Sequence, residues 1–402
     1  MLRCAWRNLW RNSRRTAITL AAVTLNTALL IFIFAMNRGM LRQTLENATG
    51  VVMGEAQAHA PDYLEDRSLY KLLQADAILE IAKKNGVGAA ARLYGYGLVS
   101  GDRKSAGAFF WGIDPAQEKA SFKLATYIKE GRFLPEAPEG GVLLGKKLAH
   151  SLQADIGDEI VVLVQAADGS LGNELYTVSG ILKAIGDSID RSAVIMHEKD
   201  FRSLFVLQKG VHEIAFHTGG KKPAEEIRTL VASASNNAEV KTWRELSPVL
   251  SDMLRVSHGA LYVFLAIFFL AAALGVMNTM LMATYERIHE FGILKAVGAS
   301  PWRIVMDVLS EALVLSGFAA AMGACIGVAV SYYFQLNGLD LTGVAGDVSF
   351  AGMAFDPIWR AALSFRTVIE PVGVMCTVCV LASLYPAVIA ARLDPVEAIR
   401  HV

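Results

Sequence analysis

Cysteine is scarce. The chain of 402 residues holds Cys4, Cys325, Cys376 and Cys379, with none between about residue 40 and 255. A disulfide framework is therefore excluded for that whole central stretch, which must stand on an apolar core. An excess of either charge is missing too: 38 basic residues balance 38 acidic ones, so nothing marks nucleic acid as a partner. Charge is also absent locally. Thr16–Met36, Gly259–Tyr285, Ala312–Leu339 and Pro371–Ala391 contain no Asp, Glu, Lys or Arg. A helix needs about 20 apolar residues to cross the hydrocarbon of a bilayer, and each run is long enough. With 53% hydrophobic residues and a mean hydropathy of +0.38, the chain reads as a membrane protein with four transmembrane helices. Ionisable residues at membrane depth are nearly absent as well, Asp307 and Glu311 standing close to one end of the third run. That argues against ion or proton transport through the spans.

What is present fixes an orientation. Arg3, Arg7, Arg11, Arg14 and Arg15 precede the first run; Arg287, Lys295 and Arg303 lie between the second and third; Arg392 and Arg400 follow the fourth. Basic residues in short flanks stay on the cytoplasmic side, so both termini are expected there. A signal peptide is the other reading of a basic start. Here Met36-Asn37-Arg38-Gly39 offers no small-x-small cleavage pattern, and an uncleaved anchor is expected. The expected layout is a lead-in helix at 1–15, spans at 16–38, 257–284, 304–334 and 368–391, and outer regions at 39–256 and 335–367. A cytoplasmic segment at 285–303 and a tail at 392–402 complete it.

The large outer region changes texture. From about residue 85, short apolar runs alternate with Gly, Asp and Pro, as in Gly141–Leu144, Glu159–Val164, Tyr176–Leu182 and Ala193–Met196. Helical stretches are expected at Leu69–Lys84, Lys146–Gln153, Glu198–Phe205 and Ala224–Ser233. The mixture predicts an α+β domain, joined to the membrane by helical stalks at Leu41–Asn47 and Trp243–Ser257.

Three motifs invite a chemical reading, and each has a plainer one. Gly140-Gly-Val-Leu-Leu-Gly-Lys146-Lys147 nearly spells a phosphate-binding loop, but Lys147 stands where Ser or Thr must reach magnesium. A strand turning into a helix is the better account. His212-Glu-Ile-Ala-Phe-His217 puts one residue too many between its histidines for a shared helical face, and its alternation is that of a strand. Cys376-Thr-Val-Cys379 sits inside an apolar span with no second ligand pair, so packing is expected. No metal site is expected. Ala319, Gly323 and Gly327 line one helical face in the third run, where small residues admit close helix packing, within one protomer or between two.

The segment Tyr285-Glu-Arg-Ile-His-Glu-Phe-Gly-Ile-Leu-Lys-Ala-Val-Gly-Ala-Ser-Pro-Trp-Arg303 resembles the signature of FtsX-like permeases, the membrane subunits of MacB- and Lol-type ABC transporters. Glu286, Arg287, Glu290, Gly292, Leu294, Lys295, Gly298 and Ala299 fall on the pattern; His289 and Phe291 stand where Arg and Ile are commoner. The ends, Ala5–Thr16 and Tyr385–Arg400, resemble the family's lead-in helix and closing motif. Gly112–Pro115, Gly131–Phe133, Gly141–Ala149 and Gly157–Glu159 are similar to its MacB-type periplasmic core domain.

The resemblance implies a dimeric, non-enzymatic permease whose ATP and magnesium are bound by a separate ATPase subunit, with no cofactor on this chain. The eight signature residues would form the ATPase-coupling element, their charges reaching the partner. The second permease could be another copy or a homologue, and membrane lipid surrounds both. ATP-driven motion would pass along the spans to the outer domain. Three uses of that motion are open: release of a lipoprotein or other lipidic substrate to a periplasmic chaperone, MacB-like export through an adaptor, or FtsX-like control of a cell-wall hydrolase.

Overall fold

The computed structural model describes residues 13–235, 237–341, 349–350, 353–354, 358–394 and 398. The lead-in helix expected at 1–15 lies almost wholly outside them, as does most of the closing motif after Asp394. The described chain divides into two compact units, the spans with their short connections and the domain inserted between the first and second.

Four helices, Ser13–Ala48, Pro248–Tyr285, Pro301–Asn337 and Phe365–Arg392, are long and apolar enough to cross a membrane. The third starts on Pro301, a residue suited to a first turn because it has no N–H to satisfy, and stops at Gly338 with φ +73°. Residues 301–303, expected in the connecting segment, are thus its first turn. The fourth starts with a reciprocal cap between Ser364 and Thr367. In lipid, polar side chains between helices act as fasteners. Asn26 Nδ2 donates to the Phe268 carbonyl at 2.9 Å, Thr19 and Thr279 hydroxyls meet at 2.7 Å, and Thr24 Oγ1 donates to the Ala319 carbonyl at 3.2 Å. Val23, Leu30, Phe269, Val276, Leu315 and Met375 fill the space between.

Among its described residues the inserted domain carries ten strands: β1 (Ala56–His59), β2 (Gly88–Ser100), β3 (Ser105–Ile113), β4 (Ile128–Gly131), β5 (Gly141–Leu144), β6 (Glu159–Gln165), β7 (Leu171–Leu182), β8 (Ala193–His197), β9 (Glu213–His217) and β10 (Glu239–Thr242). Strands β2, β3, β8, β5, β7 and β6 pair in turn, and β6 returns to β2, so the six close on themselves. Closure removes open edges and creates an interior. Val99, Phe110, Val142, Leu144, Ile160, Val162, Val178 and Val194 are buried in it. Strand β2 has 13 residues; its second half pairs with β6, while its first half pairs with β9, from which β1 and β10 extend the sheet. Gly95 lies where the two halves meet, and a Cβ there would fall 2.4 Å from the Phe205 ring.

Helices α1 (Asp76–Lys84), α2 (Pro115–Ser121), α3 (Lys146–Leu152), α4 (Glu198–Leu204) and α5 (Ala224–Ala234) pack on this sheet system. Ile78 and Ala82 of α1 join Ile227 and Val231 of α5 in the core. The helix expected to start at Leu69 begins only at Asp76. Leu73 instead exchanges backbone hydrogen bonds with Val211, and that pairing holds the preceding chain extended. The near phosphate loop is indeed a strand and helix: Gly145 packs against the carbonyls of Ile189 and Asp190, and Lys147 pairs with Asp187. The His212–His217 run supplies β9.

Candidate functional site

Between the second and third spans the chain forms helix α6 (Ile288–Ala296). Its inner face is anchored by Phe291, 1% exposed, among Ile304, Val305, Val308, Ala387 and Ala390. Gly292 is buried beside it. Arg287 sits at the helix start; its Nη1 donates to Glu311 at 2.9 Å, its Nε to Glu290 at 3.0 Å, and its guanidinium lies 5.0 Å from the Phe291 ring. A charge pair this buried holds only because both partners are matched, so Glu311 in the third span is explained by Arg287. Lys295 Nζ donates to the carbonyls of Ala391 and Leu393 at 2.8 and 2.6 Å. Those are end-of-helix acceptors of the fourth span, and a cation there also suits the helix dipole. Glu286 pairs with Arg15 of the first span at 2.9 Å.

Of the four charges expected to reach a partner, three bond to the spans of this chain, and Glu290 stays half-exposed beside Arg287. Glu286, Arg287 and Lys295 fasten α6 to the first, third and fourth spans. The outward surface carries His289 and the half-exposed Glu290 and, toward the end of the helix, an apolar tip: Ile293 is 46% exposed, Leu294 42% and Val297 83%. Gly298 follows with φ +95°, a left-handed residue that ends the helix, and the Ala299 N–H closes back on the Leu294 carbonyl at 2.9 Å. Leu294 alone among these exposed residues was singled out by the sequence; Ile293 and Val297 could have been found as apolar positions with no place on the Phe291 face.

The small-residue face of the third span meets the first span of the same chain. A Cβ on Gly323 would lie 2.6 Å from Thr27 Cβ and 2.7 Å from the Thr24 carbonyl, and one on Gly327 would lie 3.0 Å from the Ala28 carbonyl. Ala319 is buried in the same seam. Cys379 is buried and Cys376 half-buried within the fourth span. Among the described residues no cluster of His, Cys, Asp or Glu is arranged to hold a metal.

A second surface escaped the sequence reading. On the outside of the closed strands, the registers place Leu175, Val161, Ser100 and Ser105 in one row and Asn173, Leu163, Leu98 and Gly107 in the next; beyond them Leu171 pairs with Gln165 and Tyr96 with Phe109. Tyr96, Leu98, Leu171 and Leu175 are each more than half exposed, and Val161 and Leu163 are exposed as well. These positions carry no charged side chain of their own; Glu159 borders them, and the Arg67 side chain hydrogen-bonds Tyr96. By strand spacing the face covers on the order of 350 Å².

Two family models match. The MacB-like periplasmic core domain covers residues 16–243 and the FtsX-like permease C-terminal region covers 262–395. The chain belongs to the MacB and FtsX permease family. It is therefore an ABC transporter permease, a non-catalytic membrane component with four spans and an extracytoplasmic domain between the first two, and the family implies an ABC ATPase partner. The chain is similar to the lipoprotein-releasing system transmembrane protein LolC of Xylella fastidiosa strain Temecula1, at 23% identity over 97% of this chain and 95% of that one. It is also similar to the pyoverdine export ATP-binding/permease protein PvdT of Pseudomonas syringae pv. tomato, at 26% identity over 99% of this chain but 59% of PvdT. The crystal structure of the periplasmic region of MacB from Actinobacillus actinomycetemcomitans overlays 51% of this chain and 95% of its own length, at 11% identity and a TM-score of 0.38.

Proposed function

We propose that this permease, working as a dimer with another copy or a homologue, uses ATP hydrolysed by a separate ATPase to extract a lipidated substrate from the outer leaflet. Both termini and α6 face the cytoplasm in this reading, and ATP and magnesium stay on the partner. The ATPase seats on the apolar tip of Ile293, Leu294 and Val297, while the charges behind the tip hold α6 firmly enough to pass its motion to the spans. Leu294, Gly298 and Ala299 shape that tip; Glu286, Arg287, Glu290, Gly292 and Lys295 fix its base.

The observation that carries the substrate class is the exposed cluster of Tyr96, Leu98, Val161, Leu163, Leu171 and Leu175 on β2, β6 and β7, interrupted by polar but not by charged side chains. A patch of this area is about half of what one partner contributes to a stable protein interface, yet it is ample for acyl chains. The LolC likeness over nearly the full chain supports the same substrate. A periplasmic chaperone or adaptor would then receive it. The PvdT likeness favours a second reading, export of an amphiphilic small molecule, which would use the same ATPase and the same face differently.

Reconstitution with the ATPase in proteoliposomes tests this. A fluorescent dipalmitoylated lipopeptide should leave the membrane only with ATP, and Leu98→Asp with Leu163→Asp should cut that release at least about fivefold. Release no greater than without ATP, alongside ATP-driven movement of a non-acylated amphiphile, would establish the export reading instead.

A further inference from the structure

Arg92 is fully buried in the extracytoplasmic domain, and its surroundings are more than a neutralising pair. The register of β2 sets it opposite Glu213 on β9 and Ile113 on β3. Its Nη2 donates to Glu118 Oε1 of α2 at 2.6 Å, its Nε reaches Glu118 Oε2 at 3.4 Å, and its Nη1 reaches Glu213 Oε1 at 3.2 Å. Tyr94 Oη donates to the same Glu213 oxygen at 2.9 Å. The guanidinium lies 4.8 Å from the Trp111 ring and 4.4 Å from that of Phe122. Burial pushes the Glu118 carboxyl above its ordinary range while Arg92 pulls against that shift.

One further bond gives the cluster a task. Arg92 Nη1 also donates to the carbonyl of Val52. Val52 belongs to a π-helical turn, Thr49–Met53, that continues the first-span helix without a break at Ala48. The last carbonyls of any helix lack partners within it. Here the domain supplies them: the Lys123 N–H bonds the Gly50 carbonyl at 2.8 Å and Arg92 takes Val52. Val51 inserts among Trp111, Ile113, Leu124 and Leu182. A positive group at the helix C-terminus is also favoured by the dipole. The chain then leaves through Gly54, φ +67°, so close over β9 that a Cβ would meet the Phe216 carbonyl at 2.4 Å.

We propose that Arg92 is a positioning residue for transport: it rivets the outer end of the first-span helix to β2, β9 and α2, so that axial displacement of the helix moves the domain as one body. The proposal rests on the reading that work is transmitted from ATPase to outer domain. A buried ion cluster is poor value as a stabiliser, since apolar replacements of similar volume are often neutral or better. What an apolar replacement cannot supply is a donor for the Val52 carbonyl.

The test exploits that difference. Arg92→Met, combined with Tyr94→Phe, Glu118→Leu and Glu213→Leu, removes every member of the cluster that would be orphaned, and Arg92→Lys keeps the charge without the fork. Both are made in the full permease assembled with its ATPase. Spin labels at Arg42→Cys and Ser170→Cys, with the native cysteines replaced, read the helix-to-domain distance directly. The parent should give a narrow distribution, the apolar variant a broad one, and Arg92→Lys an intermediate. ATP hydrolysis should stay within about threefold, while release of the dipalmitoylated lipopeptide per ATP falls at least about tenfold. Unchanged distances and unchanged release per ATP in Arg92→Lys, or in the apolar variant where it folds, would overturn the proposal. If the parent itself releases no lipopeptide, the substrate reading fails while the distance measurement still decides the rivet.

Discussion

Gly323 and Gly317 lie in the same helix and differ only in what surrounds them. A Cβ on Gly323 collides with Thr27 and Thr24, whereas one on Gly317 meets nothing within 4 Å. Overpacking a tight seam costs about 1–3 kcal/mol, and Gly→Ala in an open helical position gains about 1. Gly323→Leu should therefore lower the thermal midpoint of the detergent-solubilised permease by several degrees, and Gly317→Ala should leave or raise it. Equal midpoints would mean that the helices do not meet there. His212 makes a pH-dependent case in the outer domain. Its Nδ1 accepts from the Tyr94 N–H at 3.0 Å and its Nε2 lies 3.1 Å from the Leu69 carbonyl, an arrangement that requires the neutral ring. Burial presses its pKa down to about 4, and Arg202 and His59 add to that while the Leu69 carbonyl opposes it. An unfolded histidine titrates near 6.5, so between pH 6.5 and 4 the unfolded chain binds more protons and stability falls as pH falls. At pH 5 the loss is about 2 kcal/mol, and His212→Gln should flatten the decline of thermal midpoint between pH 7 and 5. A decline of unchanged slope would place the titration elsewhere. The sequence excluded a metal here by spacing alone, but a histidine's pairing with backbone from a distant loop leaves no local pattern to read.

At the scale of the element, α6 shows why charge is a poor guide to where a partner binds. Glu286, Arg287 and Lys295 are conspicuous in the sequence because they are ionised, yet each is satisfied inside the chain. Which face of a nine-residue helix is buried depends on spans far away in sequence, so the segment itself offers only a hint of the apolar tip, in apolar positions that do not share the Phe291 face. Val297→Asp should abolish co-purification with the ATPase at unchanged membrane insertion. Lys295→Ala should leave assembly intact and lower release per ATP, because it loosens the base and not the tip. Loss of assembly in Lys295→Ala with retention in Val297→Asp would reverse the two roles. Strands were legible where apolar alternation was strong: β5 is the expected Gly141–Leu144, and β6 and β8 extend their expected runs by one residue. Strand β1, Ala-Gln-Ala-His, was missed because two alanines give almost no hydrophobic signal. Both alanines are fully buried in a strand paired on each side by β9 and β10, and that burial is a tertiary fact.

For the whole molecule, four uncharged runs already contained the four spans and the domain inserted between the first two, because a bilayer penalises charge at depth and reads length directly. The closed six-stranded core was not legible, since closure depends on β6 returning to β2 across about 60 residues. The apolar outer face hides for the same reason: Leu98, Leu163 and Leu175 become neighbours only through register. The orientation is the part that a single measurement can fix. Ser170 lies in the exposed turn between β6 and β7, and Val297 at the tip of α6. With the four native cysteines replaced, Ser170→Cys should react with a membrane-impermeant maleimide on spheroplasts. Val297→Cys should react only after lysis, and bound ATPase should then slow its reaction at least about fivefold. The two positions must answer oppositely if the outer domain and the docking tip lie on opposite sides. Reaction of Val297→Cys before lysis would invert the chain, and with it the side on which ATP could do its work.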